Sequence, residues 1–376
     1  MKIALIGPTY PFRGGLAHFT TLLVRALRER HTVRFYSYTR QYPQWLFPGS
    51  TAADPSATVL DEPCERIIDS LNPLTYWRVA RNIVADTPDL LLLQWWTPFW
   101  LPLHTSVALA ARRAGIPVLY LCHQLVEPDS GAIEWQAARA GLALADAFVV
   151  MTEGERQRVA VAFPGRPTAT GYHPVYDQFP ASGVSRAVAR MQLNIPKDAS
   201  LLLFFGFVRR YKGLSVLLDA LALARTPVHL LVVGEFWEDE TATHTQIARL
   251  GLQDRVRVEN RYVPNEAIEP YFAATDALVL PYLSGSQSGV AMIAVQYTVP
   301  VIASDVGGLG ETIRHGENGL LVPPADPAAL AGAIDALFAA DQDAMRAAMA
   351  ATRARLAWPA LVDVIEETAF RPLRSV

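Results

Sequence analysis

Two cations set among glycines are the first residues in this chain whose types and spacing suggest chemistry. In Gly206-Phe207-Val208-Arg209-Arg210-Tyr211-Lys212-Gly213 they follow Leu201 to Phe205, an apolar run that reads as a buried strand. At such a strand end Arg209 and Lys212 can neutralise a diphosphate, and the charge that grows as a group departs from it, without a metal. Arg210 is an alternative for the second cation. A second segment, Ser284-Gly285-Ser286-Gln287-Ser288-Gly289, lies between the strand Ala277 to Leu280 and a helix. Small residues admit a close backbone approach, and a helix start points N–H groups and a positive dipole end at an anion, to which a phosphate is suited. His123 follows a third apolar run in Leu121-Cys122-His123-Gln124, where a neutral imidazole can accept or donate a proton. The structural alternatives are an ordinary strand-to-helix turn, a solvated basic turn and a core histidine.

The elements that must position these residues alternate strand and helix, which predicts an α/β fold with parallel sheets covered on both faces. Strands are expected at Lys2 to Ile6, Val33 to Tyr38, Leu90 to Leu93, Val118 to Cys122 and Ala147 to Met151. Helices are expected near Leu16 to Glu29, Pro73 to Ala85, Leu103 to Ala114 and Glu134 to Leu144, with loops at Thr39 to Pro63 and Thr97 to Pro102. The pattern restarts with strands at Leu201 to Phe205, His229 to Val233, Val256 to Glu259, Ala277 to Leu280 and Val301 to Ala303. Asp326-Pro327 opens a late helix. The expected division is a domain over residues 1–172, a linker over 173–198 and a second domain over 199–358. Ligands of open parallel sheets bind beyond the carboxyl ends of the strands. Two such domains face to face would gather Gly14-Gly15, His123, Arg209 to Gly213 and Ser284 to Gly289 around one cleft.

Composition narrows the classes. The 376 residues carry a formal net charge of −3 and no long basic run, which argues against nucleic acid. Cys64 and Cys122 are too few for a disulfide framework or a zinc site. The start, Met1 to Gly7, reads as a strand and not as a signal peptide, so a cytoplasmic protein is expected. From Leu90 to Ala111 there is no charged residue, but Gln94, Pro98, Pro102 and His104 interrupt what could pass for a membrane span. Trp95, Trp96, Phe99 and Trp100 read as a mixture of core packing and a sugar- or lipid-facing platform. Asp341-Gln342-Asp343 and Glu238-Asp239-Glu240 read as a helix start and a solvated loop, and not as metal ligands. No G-x-G-x-x-G follows the first strand, which argues against a dinucleotide dehydrogenase.

Four segments together resemble the retaining glycosyltransferases usually called family 4, which have the GT-B fold. They are Leu280 to Gly319, Gly206 to Gly213, Arg13-Gly14-Gly15, and His173-Pro174-Val175-Tyr176-Asp177. The resemblance spans essentially the whole chain and is nearest to a bacterial subgroup with QSG in the key loop and QWWTPFW in the first half. It implies two Rossmann-like domains, with a last helix (Trp358 to Phe370, residues 359–376 overall) returning to the first. It also implies a nucleotide-diphosphate sugar as donor substrate, with no cofactor and no metal. The implied catalytic residues are His123, which would hydrogen-bond the donor sugar, with Arg209 and Lys212. The implied donor contacts are Gly14, Gly15, Gly206, Gly213, Glu235, Tyr262, Ser286, Gln287, Ser288 and Gly289. Arg13, His18, Trp95 and Trp96 fall on the acceptor side.

The chain departs from the family at two places. It has Phe207 where the pattern has Arg, and it lacks the Glu that most relatives carry near Ser286 and near Ile293. The expected activity is transfer of a sugar to a saccharide or polyprenyl-linked acceptor in cell-surface polysaccharide or glycolipid synthesis. The alternatives are a nucleotide-sugar-binding subunit without turnover and a sugar-nucleotide epimerase. Contact with the inner face of the membrane is expected through first-domain aromatics with Arg13, Arg25, Arg28 and Arg30.

Overall fold

The computed structural model describes residues 1–43, 45, 53–57, 59–126, 131–179, 181–285 and 287–370, and every absence stated below refers to these. Most of the apolar runs form strands that are buried nearly end to end, as parallel strands covered on both faces must be. The first sheet contains β1 (Lys2–Ile6), β2 (Thr32–Arg40), β3 (Glu65–Asp69), β4 (Leu90–Trp95), β5 (Val118–Cys122), β6 (Ala147–Val150) and β7 (Thr168–Thr170). Its spatial order is β3-β2-β1-β4-β5-β6-β7. The second contains β8 (Ser200–Phe205), β9 (Val228–Val233), β10 (Val256–Glu259), β11 (Ala277–Leu280), β12 (Val301–Ser304) and β13 (Gly319–Val322), in the order β10-β9-β8-β11-β12-β13. All these pairings are parallel. The order reverses between β1 and β4 in one sheet and between β8 and β11 in the other, the places where doubly wound sheets open a crevice for ligands.

The chain divides into two compact units. One comprises Met1–Pro55, Val59–Pro174 and the chain from Ala357 onward; the other comprises Val175–Leu356 with Ser56 and Ala57. The helix Trp358–Phe370 packs on the helix Gly15–Arg28 and on β6 and β7. It is held there by Arg30 Nη1 to Asp363 Oδ1 at 2.5 Å and by His31 Nε2 to Glu366 Oε1 at 2.8 Å.

Some elements differ from expectation. β3, β7 and β13 were not anticipated: β3 is an Arg-containing edge strand, β7 is three half-buried residues, and β13 is a four-residue edge strand that opens on Gly319, so pairing with a neighbour defines them more than their own pattern does. β2 runs on to Arg40, into the segment expected as loop. Thr97 caps a short turn, Pro98–Trp100, by accepting from Phe99 N–H, and the helix Leu101–Arg113 follows directly. The stretch expected as a linker contains the helix Arg186–Gln192. Asp239 accepts from Thr241 N–H and starts the helix Glu240–Arg249, so Glu238-Asp239-Glu240 is a helix entry and not a plain loop. Asp341 likewise caps Gln342–Arg355. No helix is long and apolar enough to cross a membrane.

Candidate active site

In the second unit β8 ends at Phe205, and Gly206 turns the chain with φ +94° while its N–H donates to Val233 O at 2.9 Å. A side chain at Gly206 would come within 3.2 Å of Lys212 Nζ and 3.1 Å of Val290, so the bare α-carbon lets the lysine fold back over the strand end. At Gly213, φ +69°, a Cβ would lie 1.9 Å from Pro281 O. Nearby, Leu283 N–H donates to Tyr211 O at 2.7 Å. The turn after β8 is thus pressed against the turn after β11, at the switch point of the sheet.

Lys212 is only 7% exposed. Its ammonium is pushed down to about 8 by burial and then by Arg209. No described carboxylate lies within 4.0 Å of it, and its Nζ sits 5.7 Å from the centre of the Tyr282 ring. Tyr282 and Ser288 share a hydrogen bond at 3.0 Å, and Ser288 caps the helix Gly289–Gln296 by accepting from Ala291 N–H at 3.3 Å. A buried cation, a phenol and a helix start therefore form one connected group. Ser288 serves the helix cap within it, and Gln287 lies half-buried beside it. At Gly289 a Cβ would meet Tyr176 Oη at 3.1 Å. Ser286 lies outside the described residues. Ile293 is buried in the core, so no carboxylate could replace it there without losing apolar packing.

Arg209 is exposed, its guanidinium 5.2 Å from the Tyr211 ring and 5.6 Å from the Trp237 ring. Phe207 stacks on Trp237 at 4.4 Å and lies 6.2 Å from Tyr262. The family arginine is thus replaced by part of an aromatic row along the ends of β8, β9 and β10. Glu235 carries its backbone carbonyl into that row, accepting from Val208 N–H at 2.9 Å.

In the first unit His123, Gln94 and Thr20 form a neutral hydrogen-bonded set at the switch point. His123 Nε2 lies 2.9 Å from Gln94 Oε1, an acceptor, which makes Nε2 the protonated nitrogen. Gln94 Nε2 in turn donates to Thr20 Oγ1 at 2.9 Å. A Cβ at Gly7 would come 2.2 Å from Gln94 Nε2, so the network needs glycine there. Burial and then His173 lower the His123 imidazole to about 3, and burial lowers His173 to about 4. Both rings meet the Phe19 ring edge-on, at 4.5 and 5.1 Å. Gly14, φ +106°, precedes the first turn of Gly15–Arg28 and provides no side-chain cap. His18 faces Asp54 at 3.1 Å, and Arg13 lies half-buried before Gly14.

Several expectations are corrected. Trp95 is 0% exposed, with Nε1 donating to Leu125 O at 2.9 Å, so it is core and not an acceptor contact. Trp100 is core as well, while Trp96 is half-buried and donates to Tyr42 Oη at 2.8 Å. Phe99 is the most exposed of the four at 37%. The basic face assigned to Arg25, Arg28 and Arg30 is neutralised, because Glu62 pairs with the first two and Asp363 and Glu366 with the third. Sequence reasoning missed Gln94 and Tyr282. A lone amide inside the apolar run Leu90 to Trp96 was the available signal for the first. Tyr282 gave none.

Two doubly wound parallel sheets, with a cationic turn at the switch point of the second, are the architecture of the GT-B class. Residues 14–176 match the family described as "Glycosyl transferase 4-like domain", and residues 199–340 match "Glycosyl transferases group 1". A D-inositol 3-phosphate glycosyltransferase from Xylanimonas cellulosilytica is 31% identical, over 71% of this chain and 70% of that protein. One from Streptomyces scabiei is 33% identical over 62% of this chain, which spans only 57% of that relative. The chain belongs to this glycosyltransferase family. Among solved structures, Anabaena HepE in complex with UDP aligns with a TM-score of 0.77 at 22% identity, covering 98% of this chain and 99% of that one. Sucrose-phosphate synthase from Thermosynechococcus elongatus aligns at 0.72 and 22% identity over the whole of both chains. At these identities the likeness is one of fold.

Proposed function

We propose that this glycosyltransferase is retaining and metal-independent, taking a hexose from a nucleotide-diphosphate sugar to a saccharide or polyprenyl-linked acceptor in cell-surface polysaccharide or glycolipid synthesis. The observation that carries the reading is Lys212, a buried cation without a carboxylate beside a glycine turn and a helix start. An anion is what that site lacks, and a diphosphate supplies one. The acceptor hydroxyl attacks the anomeric carbon on the face the diphosphate leaves. The sugar–phosphate bond breaks, and the departing phosphate takes the hydroxyl proton. Lys212, Arg209 and the N–H groups at the start of Gly289–Gln296 hold the charge that builds on the leaving group. Neutral His123, held by Gln94, offers a hydrogen bond to the sugar. A lipid-linked acceptor places the enzyme at the inner face of the membrane.

A second reading is a nucleotide-sugar-binding subunit without turnover. The observation behind it is the uncharged, buried Ile293, near the place where most relatives carry a carboxylate. Calorimetry against UDP-, GDP-, ADP- and TDP-sugars, followed by transfer assays with each bound donor, separates the two. Inositol phosphate belongs among the acceptors tested, given the names of the relatives. Binding followed by sugar transfer is expected. Binding without transfer to any acceptor favours the second reading, and no binding at all rejects both.

A further inference from the structure

The helix Leu74–Asp86 follows β3 at the carboxyl edge of the first sheet, the edge that also carries Gly14 and His123. One face is core, through Tyr76, Val79, Ala80 and Ile83. The opposite face should be polar on a helix of this kind. Instead Leu74 is 75% exposed and Trp77 63%, with Leu71 on the approach at 55%. Arg78 and Arg81 complete that face at the i, i+3, i+4, i+7 spacing, both exposed, and the Arg81 guanidinium lies 5.0 Å from the Trp77 ring. Neither arginine has a described carboxylate within 4.0 Å. Of the acids nearest in sequence, Asp69 is taken up by Leu71 N–H and Arg40, and Asp86 by Lys2 and Arg34. The face is apolar toward its start and basic in the next turn, on a chain whose net charge is −3.

We propose that Leu71, Leu74, Trp77, Arg78 and Arg81 are the surface by which this enzyme lies on an anionic lipid bilayer. Leucine and tryptophan side chains enter the boundary between headgroups and acyl chains, and the arginines meet lipid phosphates. The opposite charge and the apolar lead argue for a bilayer over nucleic acid, which would call for a row of cations without leucines. The proposal fits the lipid-linked acceptor suggested above, but its readout needs no sugar donor, so the two can fail separately.

Co-sedimentation of the full chain with vesicles of phosphatidylglycerol and phosphatidylethanolamine tests it, with pure phosphatidylcholine as the comparison. The wild type should partition onto the anionic vesicles and weaken as salt rises. Arg78→Glu/Arg81→Glu should lower that partition at least about 20-fold, counting roughly fivefold per arginine removed. Leu74→Glu/Trp77→Glu should abolish it. All four positions are exposed, so unchanged thermal melts are expected. Binding that ignores both double variants, or that does not distinguish the two lipid compositions, overturns the proposal. So does equal loss in Ile133→Glu/Val161→Glu, whose residues are exposed on other helices. Self-association that disappears in Leu74→Glu/Trp77→Glu while vesicles are ignored would also overturn it, by assigning the face to a second copy of the chain.

Discussion

The two units repeat one topology and differ at the same place within it. Each sheet reverses strand order at its centre and presents loops there. In the first unit a loop histidine, a strand glutamine and a helix threonine meet there in a neutral hydrogen-bonded set, His123–Gln94–Thr20, with His123 packed on Phe19. In the second they hold Lys212 and Arg209 among aromatic rings, with no described carboxylate paired to Lys212. Neutral donors and acceptors suit the hydroxyls of a sugar, which carry no charge. A buried, unbalanced cation suits an anion and little else. On the function proposed above, the first unit would orient the sugar and the second would stabilise the charge of the leaving group, through side chains at corresponding places in each sheet.

The largest expected effect tests that assignment directly. Lys212→Met keeps the volume of the aliphatic stem and removes the charge. Turnover with the donor identified by calorimetry should fall roughly 10²- to 10³-fold, with a smaller loss in donor affinity, since the cation is needed most as the phosphate departs. Gln94→Leu, which releases His123, should cost less than that. If steady-state kinetics rank the two variants the other way, the second unit is not the seat of charge stabilisation and the comparison is reversed.

The extent to which this contrast could be read from sequence follows from its physics. Strands buried on both faces appear as unbroken apolar runs, so β1, β4, β5, β8, β9 and β11 were legible. Edge strands such as β3 exist because a neighbour pairs with them, and β13 is an edge strand that opens on Gly319, leaving only three apolar residues in its run. Gly206, Lys212 and Gly213 were legible because glycines beside cations at a strand end imply close approach to an anion. The Gln94–His123 bond spans 29 residues, and nothing local announces it. Tyr282 reads as core until its hydroxyl is seen to meet Ser288. Trp95 showed the opposite failure: a tryptophan beside a loop looks like a platform, and here its ring completes the core and its N–H finds a carbonyl.

A smaller effect concerns pH. Lys212 titrates near 8 in the folded protein because burial, and then Arg209, disfavour its charged form. A bound diphosphate favours that form and raises the value again. Affinity for the nucleoside diphosphate of the donor identified by calorimetry should therefore be constant from about pH 7 to 8 and weaken above it by up to about tenfold per pH unit, because binding then takes up a proton. The folded protein binds fewer protons at Lys212 than the unfolded chain between about 8 and the ordinary lysine value. This lysine thus makes the fold more stable as pH rises through that window, and unfolding cannot account for the lost affinity. Lys212→Arg should flatten the profile. Calorimetry at pH 7, 8, 9 and 9.5 decides, and a wild-type affinity that does not change would remove Lys212 from the anion site.

The smallest effect is an expected absence of one, and it probes the neutral unit. Burial, then His173, holds the His123 imidazole near 3, far below the ordinary histidine value. The ring is therefore uncharged at every pH at which the enzyme would be assayed, and Nε2–H remains a donor toward Gln94 throughout. The ratio of kcat/KM for wild type and His123→Gln should be constant between pH 5 and 7.5, whatever its absolute value, because no protonation of His123 occurs in that range. A limb near pH 6.5 that is present in the wild type and absent in the variant would mean that the imidazole does change charge during the cycle. The first unit would then contribute a cation of its own, and the division between a neutral and a charged sheet would be lost.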